Sequence, residues 1–131
     1  MSEKKKILIA DDDFDMLEQL KMQLQAKGFE VIACESQVEA ESQLEQFKPH
    51  LAIYDLMMDD VDSGFVLSYK TKKKYPDVPV IIITAVTHET GLKFDVSTEE
   101  TKNWIKADVI LNKDIRFEQL FKEINRLLGE D

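Results

Sequence analysis

Ile7-Leu8-Ile9-Ala10-Asp11-Asp12-Asp13 is the stretch that decides the fold of this chain. An unbroken apolar run with no polar alternation suits a parallel strand covered on both faces, and here carboxylates follow it without a spacer. The pattern recurs downstream. Leu51-Ala52-Ile53-Tyr54 runs into Asp55, Val80-Ile81-Ile82-Ile83 runs into Thr84-Ala85, and Val109-Ile110-Leu111 is followed by Lys113. Phe29 to Ala33 supplies one more strand-like run, second in chain order.

Helix-like segments separate these runs. Leu17, Leu20 and Leu24 share one helical face, and Gly28 suits the position just beyond a helix end. Ala40, Leu44 and Phe47 mark a second helix that must stop near Pro49. A third is expected from about Gly64 to Lys74, with Phe65 and Tyr69 one turn apart, before the breaker Tyr75-Pro76-Asp77-Val78-Pro79. Phe117, Leu120, Phe121, Ile124, Leu127 and Leu128 keep helical spacing closely. The stretch 85–106 is less regular, because Gly91 and Phe94-Asp95-Val96-Ser97 interrupt it. Ser97-Thr98-Glu99-Glu100 has the pattern of a capping box and places a short helix at about 98–105. Strands interleaved with helices in this way predict an α/β doubly wound parallel sheet of five strands, with no internal repeat, low-complexity tract or linker.

A chain of 131 residues fits one compact domain, 1–131 with its core at about 6–129, and no output domain is expected. The 26 acidic against 17 basic residues leave a net charge of −9, which disfavours nucleic acid as a partner, because phosphate backbones attract basic surfaces. Cys34, the single cysteine, suits a reducing compartment and a small buried apolar role better than a reactive one. Met1-Ser2-Glu3-Lys4-Lys5-Lys6 precedes too short an apolar run for a signal peptide or a membrane span. A cytoplasmic location without a membrane partner is expected.

In open α/β sheets, ligands bind outside the carboxyl ends of the strands, where the winding reverses. Asp11, Asp12, Asp55, Thr84 and Lys113 would share that edge. Carboxylates brought together repel unless a cation intervenes, and a hard divalent ion such as Mg²⁺ or Mn²⁺ prefers oxygen ligands. An ionised aspartate is a nucleophile toward phosphorus, and the Thr84 hydroxyl and Lys113 ammonium are suited to bind phosphoryl oxygens. Each residue has an ordinary role available too: Asp13 as a helix N-cap, Thr84 as a strand residue, Lys113 as a solvated charge. It is their convergence that argues for chemistry.

The motif Ile7 to Asp13, the motif Tyr54-Asp55-Leu56-Met57-Met58, the pair Thr84-Ala85 and Lys113 match in type and order. The chain therefore resembles the receiver domains of bacterial two-component response regulators, of the single-domain chemotaxis-regulator kind, over essentially its full length. The resemblance implies a flavodoxin-like strand order 2-1-3-4-5 with helices on both faces. It implies Asp55 as phosphoacceptor, Asp12 as a direct metal ligand, Asp11 as one through water, and Met57 through its backbone carbonyl. Thr84 and Lys113 would bind the phosphoryl oxygens. The donor would be a phosphohistidine on a sensor histidine kinase or histidine phosphotransfer protein, and the output would be docking to a downstream protein. Met57 and Val86 would flank the path of the attacking water, and their apolar side chains imply slow self-dephosphorylation.

Departures from the family pattern lie around the pocket. Asp59 replaces the usual proline, Ser63-Gly64 replaces Asp-Gly, Asp114 replaces the proline after the lysine, and Ile110 stands where a switch aromatic is common. With Ile110 in that place, no ring can report the state of Thr84, which points to the irregular 86–106 segment as the carrier of any signal. A phosphorylation-independent receiver-like adaptor is the main rival. A phosphatase passing through an aspartyl phosphate ranks below it, since Met57 occupies the place of a second acid. Tyr54 and Trp104 are expected in the core, Lys72-Lys73-Lys74 as a solvated helix end, and neither His50 nor His88 has ligand-like spacing.

Overall fold

The computed structural model describes residues 4–56, 58, 62–84, 107–112 and 116–129. Strands β1 (Lys6–Ala10), β2 (Glu30–Cys34), β3 (Leu51–Asp55), β4 (Val80–Thr84) and β5 (Val109–Asn112) form one sheet in the order β2-β1-β3-β4-β5. Every neighbouring pair is parallel. Helices α1 (Phe14–Ala26), α2 (Gln37–Gln46), α3 (Ser63–Lys74) and α4 (Phe117–Leu128) complete the described elements. The expected flavodoxin-like order is what the chain adopts.

The continuous apolar runs are buried on both sides because strand residues alternate between two cores. Leu8, Ala52, Tyr54, Val80 and Ile82 pack with Ala40 and Leu44 of α2 and with Phe65 and Leu67 of α3. Ile7, Ile9, Ile53, Ile81 and Ile83 pack with Leu17, Leu20 and Leu24 of α1 and with Leu120 and Ile124 of α4. Helix ends follow local chemistry. The Asp13 carboxylate accepts from the N–H groups of Asp15 and Met16, as an N-cap should, and Gly28 takes φ = +94° after α1. Among the described residues, no helix is long and apolar enough to cross a membrane.

The third helix forms at Ser63–Lys74, where the sequence places it. Phe65 is buried, whereas Tyr69, one turn on, is 46% exposed, so that pair alone does not define the inward face. That face consists of Ser63, Gly64, Leu67, Ser68 and Thr71, with Phe65 at its margin. At Gly64 the missing side chain lets the helix start lie against the backbone of Asp55 and Leu56. Lys72 is also less solvated than its lysine run suggests. Its side chain is 17% exposed and its Nζ lies 2.7 Å from Asp108 Oδ2, which also accepts from the Val80 N–H. Lys73 and Lys74 remain exposed.

Cys34 is buried at the end of β2, where desolvation and then the neighbouring Glu39 charge push its thiol up to about 12. It is an apolar packing residue. His50 is structural: its Nδ1 accepts from the Lys6 N–H at 2.9 Å, while its own N–H donates to the Lys6 carbonyl. The short helix expected at about 98–105, with Gly91 and Trp104, and His88 lie outside the described residues.

Candidate functional site

Parallel register brings chemistry-bearing residues to one edge. Ala10 pairs with Tyr54, and Asp55 pairs with Ile83, so Asp11, Asp55 and Thr84 follow one another across the ends of β1, β3 and β4. The Asp11 N–H donates to the Cys34 carbonyl at 3.0 Å, carrying the ladder one residue beyond β1 and fixing Asp11 in place. Its Oδ1 accepts from the Asp13 N–H at 2.9 Å, which turns the chain into α1. Asp13 itself is committed to capping, so the third aspartate of the run is structural.

Carboxylate oxygens of Asp11, Asp12 and Asp55 all lie within 4.8 Å of one another. Asp11 is 3% exposed and Asp55 6%, whereas Asp12 is open to solvent. Two like charges at this separation repel by about 1 kcal/mol in water and about 4 kcal/mol at the effective dielectric near a protein surface. A proton or a cation relieves that cost. The donor set is entirely carboxylate oxygen, with no imidazole or thiolate, and so fits a hard divalent ion such as Mg²⁺ or Mn²⁺. Thr84, buried at the end of β4, adds a hydroxyl to the same edge and stands opposite Asn112 of β5.

The chain leaving Asp55 is held from behind. The Leu56 N–H donates to the Ile83 carbonyl at 3.0 Å, and the Leu56 carbonyl accepts from the Gly64 N–H at 2.7 Å. A Cβ at Gly64 would fall 2.7 Å from both the Asp55 carbonyl oxygen and the Leu56 Cα. Only a residue without a side chain fits there. Gly64 is thus a site residue; the sequence marks it only as the start of the third helix and as part of the Ser63-Gly64 departure from the family pattern.

Tyr54 is fully buried, as expected of a core residue, and burial pushes its phenol well above the ordinary tyrosine range. Its hydroxyl lies 2.6 Å from Thr71 Oγ1. Thr71 Oγ1 donates to the Leu67 carbonyl at 2.6 Å, so its single hydrogen is engaged and Tyr54 is the donor to it. Lys113, Met57, Val86, Asp59 and Asp114 lie outside the described residues. Ile110, in place of a switch aromatic, is partly buried against the α2–α3 core.

The family model of the response regulator receiver domain matches residues 7–125. Curated relatives include the transcriptional regulatory protein RprY of Bacteroides fragilis, 33% identical over 98% of this chain and 51% of that protein. The probable transcriptional regulator ycf27 of Porphyridium aerugineum is 31% identical over 96% of this chain and 49% of its own length. The chain therefore spans about half the length of these relatives. Among solved structures, a CheY-like receiver domain protein from Methanospirillum hungatei superposes with a TM-score of 0.81 at 25% identity, covering 97% of this chain and 95% of that one. TrrA of Thermotoga maritima, solved in complex with Mg²⁺-BeF, gives 0.76 at 26% identity, with coverage of 94% and 98%. By its sequence, its strand order and the acidic edge that order assembles, the chain belongs to the response regulator receiver domain family of two-component signalling.

Proposed function

We propose that this domain accepts a phosphoryl group on Asp55 and thereby switches its binding to a downstream protein. The carrying observation is the convergence of Asp11, Asp12 and Asp55, with Asp55 nearly buried at a sheet edge that also presents Thr84. An Asp55 oxygen attacks the phosphorus of a phosphohistidine on a sensor histidine kinase or histidine phosphotransfer protein. The new P–O bond forms as the P–N bond breaks, and the released imidazole takes up a proton. Thr84 and Lys113 bind the phosphoryl oxygens. Asp11 (through water), Asp12, Asp55 and the Met57 backbone carbonyl would hold Mg²⁺ or Mn²⁺, which when bound neutralises charge on the transferring group. The Mg²⁺-BeF complex of TrrA supports this assignment by similarity.

The receiver domain family is a signalling family rather than a typical enzyme family; on this reading the phosphoryl group stays on Asp55 as the message. A net charge of −9 favours a protein over a nucleic acid as the direct partner of this domain. The single cysteine suits a cytoplasmic setting.

Intact-mass measurement after incubation with acetyl phosphate and Mg²⁺ is the test. One phosphoryl adduct is expected in the wild type, and none without divalent metal or in Asp55→Asn. An unmodified wild type, under conditions that label a control receiver, would instead support a phosphorylation-independent adaptor. The adduct is expected to be long-lived, since Met57 and Val86 offer no group to orient the hydrolytic water. The double variant Met57→Asn, Val86→Glu should lose it at least ~10-fold faster after donor removal, a barrier change of ~1.4 kcal/mol. Loss from the wild type within seconds would refute this shielding.

A further inference from the structure

A buried strand residue next to an acceptor aspartate needs only to be apolar, yet position 54 carries a hydroxyl with a committed partner. Burying a hydroxyl is unfavourable unless it is hydrogen-bonded, so its placement constrains what surrounds it. Here it reaches from β3 to Thr71 in the third turn of α3, and Thr71 is locked in turn to the Leu67 carbonyl. Near its start, the same helix touches the chain on the other side of Asp55. The Gly64 N–H donates to the Leu56 carbonyl, and the bare Gly64 Cα packs on the backbone of Asp55 and Leu56.

The helix therefore grips the acceptor strand at points that straddle Asp55, by a side-chain bridge before it and by backbone contact at and after it. Gly64 and Thr71 are about two turns apart on one continuous helix, a stiff lever. Ser68, buried between them, has no hydrogen-bond partner among the described residues and adds no tether. A shift of α3 at Gly64 would bear directly on the Asp55–Leu56 peptide.

We infer that Tyr54 and Thr71 are positioning residues for Asp55, a buried hydroxyl bridge whose integrity sets where the acceptor carboxylate stands. This rests on Asp55 being the phosphoacceptor. Tyr54→Phe keeps the ring and leaves Thr71 bonded to Leu67, Thr71→Val removes the hydroxyl at constant shape, and Thr71→Ser restores it. Tyr75→Phe is the matched control, because the Tyr75 hydroxyl donates to the Leu44 carbonyl at 2.9 Å and ties the end of α3 to α2, away from the acceptor strand.

The readouts are the rate of adduct formation at saturating acetyl phosphate and Mg²⁺, the half-saturating Mg²⁺ concentration, and the amide resonance of Gly64 in the unphosphorylated protein. Tyr54→Phe and Thr71→Val are expected to slow the saturated rate about fivefold through misplacement of the nucleophile. They should move the Gly64 amide resonance and leave the half-saturating Mg²⁺ concentration unchanged. Thr71→Ser should behave as wild type, and Tyr75→Phe should lower only the melting temperature. A wild-type rate and an unmoved Gly64 resonance in Tyr54→Phe would reduce the bridge to ordinary core packing. Equal slowing by Tyr75→Phe would show general softening of α3 and overturn the inference as well. Should the wild type itself take no phosphoryl group, Asp55 is not the acceptor, and the Gly64 resonance alone still decides whether the bridge sets the loop.

Discussion

Gly64→Ala is expected to destabilise the domain by about 2–3 kcal/mol and to impair phosphorylation of whatever remains folded. The added methyl would meet the Asp55 carbonyl oxygen and the Leu56 Cα at 2.7 Å. Both are backbone atoms, so no rotamer change relieves the clash. The start of α3 must retreat, which lengthens the 2.7 Å bond from the Gly64 N–H to the Leu56 carbonyl and shifts the peptide that carries Asp55. Alanine is the better helix former by about 1 kcal/mol, and this offsets part of the loss. Urea unfolding at equal m-value gives the stability change, and intact mass gives the phosphorylation defect. A midpoint equal to or above that of wild type would mean that helix propensity outweighs the contact, and that the backbone of Asp55 and Leu56 yields easily.

The second large effect concerns the acidic edge. A metal that binds only the folded state stabilises it by about 2.7 kcal/mol at 100 times its dissociation constant. Mg²⁺ is therefore expected to raise the melting temperature of the wild type by several degrees. Asp12, the exposed member of the cluster, can be replaced without opening a cavity. Asp12→Ala should abolish the response and melt no lower than the wild type in chelator, because repulsion with Asp11 and Asp55 is removed. Thermal melts in chelator and across a Mg²⁺ series check both halves. Equal Mg²⁺-induced shifts in the two proteins would place the ion elsewhere.

Much of this was legible in the chain itself, for a physical reason. β1, β3 and β4 are buried on both faces, so their sequences are uninterrupted apolar runs, and the site sits where those runs stop at Asp11, Asp55 and Thr84. A chemical discontinuity of that kind survives in one dimension. The inward face of α3 does not. Ser63, Gly64, Ser68 and Thr71 have the hydropathy of a solvated surface, yet they are buried, with Gly64 against the backbone of Asp55 and Leu56. Of the two aromatics one turn apart, Phe65 is buried and Tyr69 is 46% exposed. The Asp108 carboxylate, shared by Lys72 and the Val80 N–H, joins segments distant in sequence and follows no periodicity. Gly64 matters through two interatomic distances, which no residue pattern encodes.

The burial of Cys34 has a practical side. The only sulfhydryl in the chain is enclosed, with a pKa pushed up to about 12, and so stays protonated near neutral pH. Maleimide dyes and spin labels react with exposed thiolates, so the natural protein should be silent toward them while folded. A cysteine introduced at an exposed helix position such as Met22 or Val38 would then carry a probe alone, with no background to engineer away.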